Sequence, residues 1–356
     1  MKKIVKNAIF IVILIVMMII IPLPTWMLDI LLAFNIALSL VILLITMFTT
    51  NVLQFSVFPS ILLITTLFRL ALNISSTRLI LSSGDAGNII KAFGDFVVGD
   101  SYIVGIIIFL IIVIIQFMVI TNGAGRVSEV TARFTLDAMP GKQMSIDADL
   151  NSGLIDEAGA KKRREELQME ADFYGSMDGA SKFVKGDAVA GLIITTINII
   201  AGIVIGITMQ GLSIGESAEL FTKLTVGDGL VSQIPALLIS TASGILVTRS
   251  DNKSNFGDTI VKQMTTFPKV IAIASFVLLV FAIIPGLPTL VFLAMSAITG
   301  YIAYILYKEE ESEKQRVIEE KEMEIIETEQ KEPENVMNLV KVEPMEIEIG
   351  YGLIPL

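Results

Sequence analysis

Eight apolar stretches, each 16 to 22 residues long, dominate the chain: Ala8–Leu23, Leu28–Thr49, Val57–Leu72, Tyr102–Ile120, Ala188–Met209, Gly229–Val247, Pro268–Ile284 and Leu287–Tyr307. A helix needs about 20 apolar residues to cross the hydrocarbon of a bilayer, so the pattern predicts membrane helices. Composition agrees: 53% of residues are hydrophobic, and a mean hydropathy of +0.75 is far above that of a soluble domain. The expected fold is an all-α polytopic membrane protein with about eight transmembrane helices and a large cytoplasmic loop between the fourth and fifth. The third stretch is the most broken, because Arg69 and Arg78 interrupt it. The basic start before the first stretch could be a secretory signal. No small-x-small cleavage site follows, so an uncleaved first span ended by Pro22 and Pro24 is expected.

Cysteine and histidine are both absent. Disulfides, thiolate nucleophiles and Cys-ligated metals are thereby excluded. So is the side chain that most often shuttles protons or binds metal near neutral pH. Any proton handling falls to carboxylates, lysine or water. An enzyme is not expected, nor a cofactor, a metal or a nucleic-acid partner. The formal charge of −10 lies almost wholly in one tail: Lys308–Glu348 carries fifteen acids against six bases.

Lysine and arginine in the connecting segments set the orientation. They cluster at the N-terminus (Lys2, Lys3, Lys6), in the segment from Asn122 to Lys185, and after the sixth stretch (Arg249, Lys253, Lys262). An even number of spans puts all three on one side with both termini, and that side is read as the cytoplasm. The exception is Ser82–Ser101, which carries Lys91 and reads as a short interfacial or re-entrant helix. The expected organisation is helices one to four over 1–121, a cytoplasmic loop over 122–187, helices five to eight over 188–307, and an acidic linker over 308–342. Residues 343–356 alternate Met345, Ile347 and Ile349 against Glu346 and Glu348, as a strand does. The chain is therefore expected to be the front of a longer protein, stopping at the start of a further domain.

The polar segment Ala132–Gly153, "ARFTLDAMPGKQMSIDADLNSG", contains a Pro-Gly turn signal and tests poorly for chemistry. Asp147, Asp149 and Asn151 fit the first positions of an EF-hand, but Ser152 stands where glycine is needed and Ala158 where glutamate is needed. Asp caps of the next helix are the plainer reading. "PGKQ" lacks the upstream glycine and the Ser/Thr of a phosphate loop. Further on, Lys161–Glu165 and Lys162–Glu166 have helical i,i+4 spacing. Ionisable groups at the membrane are more informative, since each costs at least about 2.5–3.5 kcal/mol to insert. Arg69 and Arg78 are two. Asp187 opens the fifth stretch and Asp228 the sixth, each readable as a helix N-cap or as a carboxylate that binds and releases a cation, partnered by an arginine or by Lys182. Gln233 beside Pro235 adds a polar, kinkable spot, and Gly202–Gly206 reads as a helix-packing contact.

Four passages, "LLITTLFRLALNISSTRLIL", "GRVSEVTARFTLDAMPGKQMSIDADLNSG", "ADFYGSMDGASKFVKGDAVAG" and "VGDGLVSQIPALLISTASGILVTR", resemble the export-gate family of flagellar and type III secretion systems, FHIPEP. The resemblance runs from Ile21 through the last span and is nearer the flagellar branch. It implies a component of the flagellar export gate that couples the proton or sodium motive force to export of flagellar subunits. A virulence secretion gate and a small-solute secondary transporter are the alternatives; no internal repeat of the transporter kind is found. Implied partners are copies of itself in a ring, nonameric in the family, the FliP–FliQ–FliR core, FlhB, the FliH–FliI–FliJ ATPase complex, and export substrates and chaperones docked by the further domain. The family's ion-coupling or gate positions match Asp187, Asp228, Arg78 and Lys182. Its cytoplasmic loop matches at Arg126, Arg133, Asp137, Lys142, Asp147, Asp149 and Asp172. The alternating charges of Arg126, Glu129, Arg133 and Asp137 suit pairing between copies, each pair worth about 0–1 kcal/mol.

Overall fold

A computed structural model describes residues 2–99, 101–119, 123, 125–249, 256–284 and 288–330. All regular structure among the described residues is helical. Two compact units are present, Met1–Thr259 and Ile260–Leu356.

The first unit comprises α1 (Lys2–Ile20), α2 (Thr25–Phe48), α3 (Phe58–Ser83), α4 (Asn88–Val98), α5 (Tyr102–Met118), α6 (Gly125–Asn151), α7 (Glu157–Thr208) and α8 (Ile214–Val247), with a 3-10 turn at Val52–Phe55. α9 (Phe256–Thr265) straddles the boundary; α10 (Pro268–Ile283) and α11 (Thr289–Gln330) form the second unit. Five helical segments are long and apolar enough to cross a membrane: α2, Val52–Ser83, α7, α8 and Thr289–Glu309. Two bent pairs bring the number to seven, α4 with Ile103–Met118 at 104° and Thr259–Thr265 with α10 at 71°. With the shorter apolar helix Ile9–Ile20, each of the eight expected stretches finds a helix. The chain is an all-α, multi-pass membrane protein.

Lipid as solvent explains an otherwise odd surface. On α5, Phe109 and Val113 are buried while Ile103, Ile107, Ile111 and Ile114 are exposed. In water such a face would be an interaction patch; against acyl chains it is the outside. The interior carries the polarity instead, because helix association in lipid is driven by close packing and polar contacts. Glycines permit the closest approaches. A Cβ on Gly227 of α8 would strike the carbonyl oxygen of Ile90, and one on Gly94 of α4 the carbonyl oxygen of Lys223. Gly202 and Gly206 of α7 take Phe221 and Ser217 of α8 against their bare backbone, as their spacing leads one to expect. The amide groups of Asn88 and Ile89 donate to the Asp29 carboxylate, each at 3.0 Å, so α2 caps the short helix α4.

Several expectations need correction. α3 is not interrupted at its arginines but runs through both to Ser83. Pro140–Gly141 makes no turn and lies inside α6. Pro140 and Leu136 are on an exposed face, where water can take the carbonyl that a proline amide cannot. Asp187 and Asp228 open no helix: α7 begins thirty residues before the first, and α8 fourteen before the second. The cap at α7 is Asp156, whose carboxylate accepts from Gly159 N–H at 2.7 Å. The helical part of the acidic segment reaches Gln330; its remainder and the expected strand at Met345–Ile349 lie outside the described residues.

Candidate functional site

Three helices carry polar side chains at one-turn spacing toward a common point. On α3 these are Arg69, Asn73 and Ser76; on α7, Asp187 and Thr195, with Gly191 between; on α8, Asp228 and Ser232. Residues three or four apart share a helix face, so each stripe faces inward as a unit. α5 adds Gln116 and α8 adds Gln233. All of these but Ser76 line a cavity of about 60 Å³. One water needs about 10–15 Å³ on this measure, so the space holds a few waters or a partly hydrated cation.

Among the described residues Arg69 is the largest side chain that is fully buried. Its Nε donates to Asp187 Oδ2 at 2.7 Å, and its Nη2 donates to the same oxygen. Asp187 is 6% and Asp228 4% exposed. Among the described residues Asp228 is in no ion pair, and the Ser76 hydroxyl hydrogen-bonds to it. The Ser232 hydroxyl donates to Asn73 Oδ1 at 2.5 Å, and Gln116 Nε2 to the Gln233 carbonyl oxygen at 3.3 Å. Five buried polar atoms around the cavity have no protein partner: Asp187 Oδ1, Asp228 Oδ1, Arg69 Nη1, Gln116 Oε1 and Gln233 Oε1. Leaving one such group unpaired costs about 1–3 kcal/mol, more if charged. Five around one void therefore mark a place for ordered water. Pro235, one turn beyond, frees a backbone carbonyl in α8. Among the described residues no cluster of three or more acidic side chains could hold a metal.

Of the four expected ion-coupling residues, Asp187 and Asp228 meet at this cavity. Arg78 does not. Its guanidinium donates to the Ile19 and Ile20 carbonyl oxygens at 2.9 and 3.0 Å, capping the end of α1. Lys182 sits on the exposed, charged part of α7 and donates to Asp178 at 2.7 Å. That hydrogen bond and the charge of Asp178 raise the lysine above its usual range. The partner of Asp187 is Arg69. Its signal was present in the sequence as Arg69-x-x-x-Asn73-x-x-Ser76, a polar face inside an apolar run.

The other expected positions lie on a helical hairpin made by α6 and the first half of α7. Met139, Ile146, Ala160 and Leu167 form its small core. A ladder of ion pairs flanks that core: Lys142–Glu170 at 2.8 Å, Asp149–Arg163 at 2.8 Å and Asp147–Arg164 at 2.5 Å. Lys162–Glu166 adds the expected i,i+4 pair at 3.9 Å. Asp172 accepts from Gln168. Asp147 and Asp149 thus pair with arginines of the same chain. Arg126, Glu129, Arg133 and Asp137 are exposed on α6, and among the described residues none of them forms an ion pair.

These features define a class: a helical multi-pass membrane protein with a buried, incompletely paired ionic site among its spans and a charged hairpin at one end. The chain belongs to the FHIPEP family, which it matches over residues 15–356. Its relatives include the flagellar biosynthesis protein FlhA of Bacillus subtilis (strain 168), 56% identical over 347 residues. Those of Salmonella typhimurium and Escherichia coli K12 are 51% and 50% identical over 354 and 352 residues. Each alignment covers 97% of this chain and 50–51% of the relative, so the chain spans about half the length of these proteins. No solved structure matches.

Proposed function

We propose that the chain is the membrane part of a flagellar protein-export gate, in which a proton or sodium ion moving down its gradient through the Asp187–Asp228 cavity drives export of flagellar subunits. The observation carrying this is the cavity itself: two buried carboxylates, one paired to Arg69 and one without a cation, each with an oxygen lacking a protein partner. A carboxylate in lipid is costly enough that it persists where an ion or proton uses it. Relatives named for flagellar biosynthesis supply the process. The gate moves cargo and is not an enzyme. The basic hairpin and both termini face the cytoplasm of the inner membrane by the positive-inside rule. Copies assemble as a ring, nonameric by family resemblance, with the FliP–FliQ–FliR core, FlhB and the FliH–FliI–FliJ ATPase complex. The exposed charges of α6 offer contacts between copies. Substrates and chaperones dock on the part of the longer protein beyond this chain.

The experiment is complementation of a non-motile strain with the full-length protein, scored by swimming and by secreted hook protein. Asp228→Asn keeps volume and hydrogen bonding but cannot titrate; it is expected to lower secretion at least about tenfold, the scale of a 1.4 kcal/mol loss. Arg69→Gln with Asp187→Asn neutralises the pair together, so no bare charge is left. Normal secretion by both variants at all imposed ion gradients means the cavity is structural.

A further inference from the structure

We propose that water reaches Asp187 from the hairpin end of the first unit through a file of buried hydroxyls, Ser243, Ser240, Ser181 and Thr66, which makes that side the aqueous port of the ionic cavity. The proposal rests on the reading of that cavity as a cation site and adds the side from which it is filled.

A second, smaller cavity of about 10 Å³ lies between α3, α7 and α8, lined by Leu62, Ser181, Val184, Ser240 and Ser243. It is the size of one water. The same three helices join the two cavities. On α3 one face runs Leu62, Arg69, Asn73, with Thr66 placed between the first two by helical spacing; on α7 it runs Ser181, Val184, Ala188, Gly191; on α8 it runs Ser243, Ser240, Ala236, Gln233. Gln233 and Ser240 are two helical turns apart, about 10 Å. Small side chains fill the interval.

Two of these hydroxyls lack the bond that most buried hydroxyls in the bundle make. A serine or threonine in a membrane helix ordinarily bonds back to the carbonyl one turn earlier, as Ser39 does to Asn35 and Thr65 to Ile61. Ser181 and Thr66 are 8% and 0% exposed, yet their hydroxyl oxygens have no protein partner. A water in the small cavity supplies the partner that Ser181 lacks, and a second beside Thr66 carries the file to Arg69. At the hairpin end, Ser243 lies 3.4 Å from Ser128 of α6, and Gly125 leaves that corner without a side chain. α6 therefore covers the mouth.

The absence of cysteine makes a direct test available in the whole chain. Ser240→Cys and Ser181→Cys are near-isosteric; Ser39→Cys is the control, fully buried and lining neither cavity. Each variant, in sealed membrane vesicles of known sidedness, is exposed to a small charged methanethiosulfonate. A thiol with no water path reacts only through local opening, so Ser240→Cys and Ser181→Cys are expected to react at least about tenfold faster than the control, and only from the hairpin side. Rates equal to the control, or reaction from the opposite side, overturn the proposal. Radiolytic hydroxyl footprinting of the unaltered chain removes dependence on the variants: Val184 and Leu62 should oxidise above Leu28, and their silence overturns it as well. Labelled thiols with normal secretion by the carboxylate variants would leave the port standing and remove the coupling. Silent thiols with lost secretion do the reverse.

Discussion

Arg69 and Asp187 exchange a charge-assisted bond while both side chains are buried. Breaking such a pair from one side leaves a bare ion, at about 3–5 kcal/mol, whereas replacing both members with apolar residues of similar size is often neutral. Arg69→Met alone should therefore lower thermal stability in detergent sharply, and Arg69→Met with Asp187→Leu should recover most of it. A double variant no more stable than the single would mean that the pair packs a shape and balances no charge. The glycine contact between α4 and α8 is a second residue-scale test. The added methyl of Gly227→Ala meets backbone, the Ile90 carbonyl oxygen, which has no rotamer with which to yield. Overpacking of this kind costs about 1–3 kcal/mol. The expected result is faster proteolysis within 84–101 as α4 lifts, and unchanged proteolysis there would mean that α8 gives way instead.

Among the elements, α7 has the most to hold in register: a solvated arm and a membrane span in one helix of 52 residues. Asp156→Ala should remove its N-cap at a cost of about 1 kcal/mol, read as fraying of the first turn by amide exchange. The ion-pair ladder beside it is exposed, and each rung contributes at most about 1 kcal/mol. Reversing Asp149→Arg should loosen the hairpin at low salt, and adding Arg163→Asp should restore it. Legibility of the elements in the sequence followed the solvent. The apolar stretches were plain because lipid demands them, and eight were expected where eight apolar helical segments stand. Their limits were not, since α3 continues as helix past the end of its apolar stretch and α7 begins long before its own, and an apolar count cannot see that. Asp187 and Asp228 stood out as charges in the wrong solvent. Arg69 was visible in the same way, but its pairing with a residue 118 positions away is a product of packing. The roles of Arg78 and of the hairpin acids were hidden for that reason too, because their partners are set by tertiary contact.

For the whole molecule, length is the controlling quantity. α7 is about 78 Å long at 1.5 Å per residue, and the hydrocarbon it crosses is about 30 Å thick. More than half of it must stand outside the membrane. The charged residues place that part at the α6 end, since the apolar stretch begins only after Asp187. Gly153, in the hairpin turn with φ +75°, and Gly211, in the α7–α8 turn with φ +67°, then mark opposite faces of the bilayer. Neither turn has a neighbour within 4 Å of a new Cβ, and the absence of native cysteine leaves no background. Although a positive φ strains any side chain, both sites are loops that can relax. Gly153→Cys should react with an impermeant maleimide only in inside-out vesicles, and Gly211→Cys only in right-side-out vesicles. Reaction of both from one face would require α7 to turn back within the membrane, which a single continuous helix cannot do.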